Sequence, residues 1–464
     1  MATHEVKLTY GGSVFDFTSG SNTLMSYVPQ SPDLTTIDSN SILDDGGERP
    51  MTTRRNVTES LAFRASASSQ DELQASKQRL QSFLMKAERH QKTGAGSPVY
   101  ITVKPYGTTA SAYRSEILSG KVDVGETSLG WQWNRRNIEF VTAFTRRYYW
   151  EGEEVTAKIN NPAVAAASRI AVYNENVPSL SRYNYFDVAA SAVTGEIPTP
   201  AKIIVRNDAG SSMDTRYFQF WHNVTSDPAN FNHFYQAEAG TTTSGSIVSN
   251  AAYSGGSAWS RTLTANLATS ITVLTLSLSG SFLDICGGGN FAIFARCSVP
   301  SGSLYARAEI LYSLTEISES LESRVAGDTG LVSFGIIRLP PNISANFGSA
   351  SLGLNLKVRS SAGGMWTTDF VEILPIDTGY SRVKQLGYIW VSGLAVMDHI
   401  TDNYYLSSSS YDAISPLLVH SGNKINLYPY ELQRIYMHTT DVSSLYTHRS
   451  LNVELKYRPR RLTI

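Results

Sequence analysis

The chain has 464 residues, with 39 Lys+Arg against 40 Asp+Glu and a net charge of −1; this argues against nucleic-acid binding as its main task, because phosphate contacts need a basic surplus. Charged residues are 17% and aromatics 11%, as in β-sheet proteins with large mutual interfaces, and a 42% hydrophobic content excludes disorder for most of the chain. No run of 18 apolar residues offers a transmembrane helix, the start Met1-Ala2-Thr3-His4-Glu5 lacks a signal-peptide pattern, and two cysteines exclude a disulfide scaffold.

Val6, Leu8 and Tyr10 share one face of a short first strand that ends at the Gly11-Gly12 turn. Residues 19–40 hold few apolar side chains and two prolines, and read as a long loop or arm: either a flexible hairpin or an arm reaching a neighbour. Thr52 to Ala65 is a long strand with Val57, Glu59, Leu61, Phe63 and Ala65 on one face. Ser69-Gln70-Asp71-Glu72 fits a capping box, Leu73, Leu80, Phe83, Leu84 and Ala87 form one apolar stripe, and Gly94 ends the helix. Strands follow at 99–104, 113–124 and 137–150, so residues 1–155 read as a β-sandwich with a single helix. A polar, Ala-rich stretch near 155–167 reads as a linker. From Arg169 onward, short strands recur between Gly, Ser, Asn and Pro turns, the signature of a sandwich or jelly roll.

The chemistry is sparse. The eight histidines form neither His-x-x-x-His nor His-Glu-x-x-His. The spacing of Cys286 and Cys297 fits neither a redox nor a catalytic motif, and whether they pair stays open. Glu316 with Glu319, or Asp369 with Glu372, would serve a glycosidase; surface carboxylate pairs are far commoner, so the chain reads as a non-enzyme. The doublets Arg54-Arg55, Arg135-Arg136 and Arg146-Arg147 are either solvated strand ends or inter-subunit partners for acidic groups such as Asp44, Asp45, Glu151, Glu153 and Glu154. The aromatic words Trp131-Gln132-Trp133 and Tyr148-Tyr149-Trp150 are either core or surfaces for a sugar or a neighbour.

The order of elements in Val6–Phe17, Thr53–Ala65, Ser69–Arg89, Val99–Lys104, Ile117–Val124 and Arg136–Trp150 resembles the tail-tube fold of long-tailed bacteriophages, in particular the belt domain of distal tail proteins. Phe186–Ser191, Gly195–Ala201, Tyr235–Gly240, Tyr253–Gly256 and Phe291–Arg296 are similar to a galactose-binding-like jelly roll of carbohydrate-binding modules. The resemblance implies a mainly β chain: a belt domain over 1–155, a linker over 156–185, a jelly roll over 186–395 and closing strands over 396–464. It implies a ring-forming homo-oligomer, hexameric, in the virion tail, made in the host cytoplasm and associated with other tail and baseplate proteins. The alternatives it leaves are a host-glycan adhesin and a tail tube protein with a decorating domain. Neither membrane insertion nor specific nucleic-acid recognition is expected. In such modules carboxylates near this place bind a structural calcium ion; Gln236 stands where one acidic residue is expected and Glu238 remains as the candidate ligand. Trp259 and Trp366 are the candidate glycan platforms, since sugar rings stack on exposed aromatics.

Overall fold

The structure is a computed structural model describing residues 5–39, 49–105, 111–124, 137–161, 167–208, 215–224, 233–241, 244–278, 288–312, 315–325, 330–339, 352–377, 379–385, 393–407, 418–441 and 451–464. It is mainly β, and its described residues contain one α-helix. No described helix is long and apolar enough to cross a membrane. Two compact units emerge: the first joins residues 1–155 with 194–197 and 458–464, and the second holds 156–193 and 198–457.

In the first unit one sheet runs in the order Ser13–Asp16, Glu5–Tyr10, Val99–Lys104, Tyr113–Val124, Asn137–Arg146, Val57–Ser66, Asn22–Ser26. Helix Gln70–Thr93 covers it with the expected stripe, Leu73, Leu80, Phe83, Leu84 and Ala87, all buried. Its cap departs from the expected box by one residue. Ser69 Oγ accepts from Glu72 N–H, while the Glu72 carboxylate accepts from the N–H and hydroxyl of Ser68. Gly94 closes the helix at φ 64°, a left-handed conformation open to glycine, and donates its N–H to His90 O. Edge-to-face contacts link Phe15, Phe17 and Phe63 in the core below.

Two expectations for this unit change. The stretch 19–40 is not structureless: Asn22–Ser26 pairs with Val57–Ser66, and Leu34–Ser39 forms a hairpin with Arg49–Arg54. The end of the chain also returns here, for Arg460 and Arg461 pair with Glu151 and Trp150. The unit is therefore closed by residues far outside 1–155.

The second unit contains two sandwiches, one inserted in the other. The outer one has a sheet with Leu451–Tyr457, Thr199–Arg206, Leu394–Asp398 and Asn403–Ser407 in that order. Its facing sheet includes Tyr185–Val188, Gln433–Asp441, Thr215–Val224, Tyr380–Gln385 and Leu418–Gly422. Phe186, Ile203, Phe218, Phe220, Ile435, Met437 and Leu455 fill its core. Between Val224 and Tyr380 the chain builds the inserted sandwich. One sheet has Ser246–Ser249, Ser257–Leu263, Gly364–Pro375, Asn290–Ser298 and Gly330–Arg338, and the other Asn266–Leu278, Leu352–Ser360, Leu304–Tyr312 and Thr315–Glu319.

These pairings correct the expected boundaries. Residues 186–395 do not make one jelly roll, because Tyr185–Val188 pairs with Gln433–Asp441 across some 250 residues of sequence, whereas the inserted sandwich holds its own strands between 234 and 375. The described strands of 396–457 supply both inner and end strands of the outer sandwich, and 458–464 belongs to the first unit. The expected linker at 156–185 carries buried Ala157 and Ile159 and the paired strand Arg169–Val172, too short for its alternation to be read from sequence.

Candidate functional site

The hairpin of the first unit is rooted in a buried ion pair. Arg146 ends the core-facing series Ile138, Phe140, Thr142, Phe144, and Glu59 lies on the core face of the neighbouring strand. Arg146 Nε and Nη2 donate to Glu59 Oε1 at 3.0 and 2.6 Å, and the guanidinium lies 4.3 Å from the Trp150 ring centre. The same pair grips the chain entering the hairpin. Tyr27 donates its hydroxyl to Glu59 Oε2, Gln30 N–H donates to Glu59 Oε1, and Arg146 Nη2 donates to Gln30 O, each at 2.7 Å. Burial and the adjacent Glu59 hold the Tyr27 hydroxyl well above its usual pKa.

On either side of that grip and within it, apolar side chains turn outward. Met25, Val28 and Leu34 are 47, 74 and 61% exposed. Among the described residues, Asn22–Ser26 and Ser13–Asp16 are the outer strands of the sheet, each with one open edge. The Arg146-Arg147 doublet does not supply free charge here. Arg146 is buried in its own unit, and Arg147 binds Glu116 at 2.9 Å. Glu151 binds Arg114 at 3.3 Å and Arg460 at 2.9 Å. Arg54 and Arg55 are exposed, whereas Arg135, Arg136, Trp131, Trp133, Asp44 and Asp45 lie outside the described residues.

In the inserted sandwich, Glu238 stands in a polar cluster that four separate segments assemble. Gln236 Nε2 donates to Ser254 Oγ at 3.0 Å, Ser254 N–H donates to Asp369 Oδ1 at 2.9 Å, and Arg296 Nη1 donates to Asp369 Oδ2 at 3.0 Å. Gly255, at φ 68°, lets the turn approach: a Cβ there would meet Gln236 Nε2 at 3.3 Å and Glu238 Oε1 at 3.5 Å. Gln236 Oε1 and Glu238 Oε2 are buried and without a hydrogen-bond partner. These two oxygens suit a hard cation such as calcium in donor type. Asp369 is committed to Arg296 and Ser254, so Glu238 is the uncommitted carboxylate. Burial raises Glu238 above the usual carboxylate range. Burial likewise pushes Asp369 up to about 7, more than the Arg296 guanidinium pulls it down.

The two tryptophans are not platforms. Trp259 is 8% and Trp366 0% exposed. They lie on strands, Ser257–Leu263 and Gly364–Pro375, and both rings belong to the core of the sandwich. Trp366 Nε1 donates to Thr368 Oγ1 at 2.8 Å, and Gly245 leaves the space that the Trp259 indole fills. Neither carboxylate pair forms a catalytic couple. Asp369 and Glu372, three apart on one strand, face opposite sides: Asp369 meets Arg296 and Glu372 meets His438. Glu316 and Glu319 are exposed beside buried Glu309, which Arg307 and Lys357 neutralise. Cys297 is buried and free, its thiol pushed up by burial; Cys286 lies outside the described residues.

No family model matches the sequence, and no curated protein matches it. Among solved structures, the chain is similar to the Dit protein of phage SPP1, whose structure is presented as a paradigm of the hub adsorption apparatus in phages infecting Gram-positive hosts. That match has 9% identity, covers 98% of both chains and scores a TM-score of 0.31. It is also similar to a chain of the phage P2 baseplate in its activated conformation with Ca, at 10% identity, 100% of both chains and a TM-score of 0.29. A carbohydrate-binding module in complex with β-1,4-galactotriose matches over 33% of this chain and 98% of its own, at 12% identity and a TM-score of 0.19. At TM-scores below 0.5, none of these likenesses bears on function.

Proposed function

We infer that the chain is a structural protein of a bacteriophage tail, a distal tail or baseplate protein whose first unit assembles a ring from copies of itself. One observation carries this reading. The entry to the hairpin is fixed by Glu59 and Arg146, yet Met25 just before that grip, Val28 within it and Leu34 beyond it are exposed. Holding apolar side chains in water on an ordered segment has a cost that a neighbouring copy removes. The open outer strands of the same sheet offer backbone groups for the same contact. The proposed ring is a hexamer in the virion tail, joined to other tail and baseplate proteins, and the chain has no enzymatic role. Light scattering on the size-fractionated full-length protein tests this: a mass near six chains supports it, and a monomer at all concentrations overturns it.

The second unit has a display role in this reading. The inserted sandwich enters and leaves the outer sandwich around Val224 and Tyr380, and its apolar cluster runs on into Tyr185, Trp221 and Tyr436 of the outer sandwich, so it is an insertion seated on a scaffold. A host-glycan adhesin is the alternative, and glycan-array binding by the full chain tests it. With Trp259 and Trp366 buried, that binding would use other side chains. A calcium ion held by Glu238 and Gln236 belongs to the same proposal, with isothermal titration of calcium as its test.

A further inference from the structure

A second polar cluster lies at the open edge of the outer sandwich, between the end strands of its two sheets. Asn403–Ser407 ends one sheet and Leu418–Gly422 the other. His399, in the turn before the first of these strands, is 0% exposed; His420 lies on the second. Their ring centres are 5.3 Å apart, and Tyr404 stacks on His420 at 4.5 Å with an interplanar angle of 5°.

The Tyr404 hydroxyl lies 3.1 Å from Asp402 Oδ1, a carboxylate that also faces Lys424 Nζ at 3.5 Å, and 2.9 Å from His399 Nδ1. When the hydroxyl donates to Asp402, its oxygen accepts from His399 Nδ1–H, and that tautomer leaves the lone pair on Nε2. Nε2 of His399 is buried and without a partner. On His420, Nε2 is likewise buried without a partner. A buried, unpartnered ring nitrogen is a desolvation cost, and two of them on rings 5.3 Å apart are a cost that one cation removes.

We propose that His399 and His420 bind a borderline divalent transition-metal ion through their Nε2 atoms, clipping the end strands of the two sheets together. Imidazole suits zinc, copper and nickel over calcium or magnesium. A Zn–N bond of about 2.0–2.1 Å places two ligating nitrogens roughly 3.3 Å apart, within reach of rings at this separation. The Asp402–Tyr404–His399 relay is the kind of support that ligating histidines use to set tautomer and orientation. The remaining coordination positions belong to water or a solute.

The test is zinc titration of the full-length, chelator-treated protein by isothermal calorimetry, with cobalt absorption as a second readout. The expected result is one zinc per chain with affinity dependent on these side chains. His420→Gln, at the less buried ring, should weaken binding at least tenfold. Tyr404→Phe, which removes the relay and leaves both ligands, should weaken it about tenfold. His90→Gln, in the first unit, should leave it unchanged. Circular dichroism confirms that each variant is folded; if His399→Gln does not fold, His420→Gln and Tyr404→Phe decide the matter. Absence of zinc binding, or binding that His420→Gln and Tyr404→Phe leave unchanged, overturns the proposal.

Discussion

Arg146 and Glu59 meet at 2.6 Å in the core of the first unit, with side-chain exposures of 0% and 1%. Such a pair adds little net stability over an apolar substitute, because desolvating two charges consumes most of their attraction. Its value here is geometric. Each charge also binds the entering segment, so the hairpin's root has one position.

Removing one partner should be far costlier than removing both. Arg146→Met leaves Glu59 buried without its counter-charge and should destabilise the first unit by about 3–5 kcal/mol. The double variant Arg146→Met, Glu59→Leu should recover most of that loss while freeing residues 27–30. Denaturant unfolding measures the first effect; limited proteolysis near Tyr27 measures the second. Equal stability of both variants would show that the pair is not coupled.

The returning chain end should matter to the first unit. Arg460 donates to Glu151 at 2.9 Å and 3.2 Å, and its guanidinium lies over Tyr149. Arg460→Ala should destabilise this unit by roughly 1–3 kcal/mol, because Glu151 keeps only its longer contact to Arg114. For the same reason a fragment ending near residue 157 should be less stable than the first unit of the full chain, as thermal unfolding would show.

Asp369 predicts a pH dependence of definite sign. Its pKa in the folded chain is about 7, above the ordinary aspartate value of 3.8, so the folded state holds the proton more tightly. Its contribution to stability is thus full at acid pH and is lost as pH rises from about 4 to about 7. Calorimetric Tm differences between the wild type and Asp369→Asn should fall across that window. A difference that grows with pH would contradict the burial account.

Trp366 should behave as core. Trp366→Ala should cost about 3–5 kcal/mol in the inserted sandwich by opening a cavity beside Phe334. Calorimetry of the full chain should show an early transition. A near-neutral substitution would return Trp366 to the surface.

What was legible in the sequence was local. The helix stripe is a 3.6-residue period with a cap and a glycine stop, and the structure buries its five expected residues. The Glu59–Arg146 pair had a signal that the sequence reading passed over. Glu59 sits among Val57, Leu61 and Phe63 on an alternating strand, and Arg146 continues Ile138, Phe140, Thr142 and Phe144. Strand alternation places both on the core face, although Arg146-Arg147 alone reads as a charged strand end. The insertion was not legible, because Tyr185–Val188 and Gln433–Asp441 carry no mark of each other. Glu238 was found by its word, but Asp369 and Arg296 join it only through folding. Trp259 and Trp366 were misplaced because small, polar neighbours look like loop residues when they are strand residues packed closely on an indole.

The exposed arm is the centre of the functional account, and imaging tests it most directly. Negative-stain micrographs of the full-length protein should show rings. The triple variant Met25→Ser, Val28→Ser, Leu34→Ser, which leaves Glu59, Arg146 and Tyr27 in place, should keep its circular dichroism spectrum and show single particles. Single particles from the wild type, or rings undiminished in the triple variant, would contradict it.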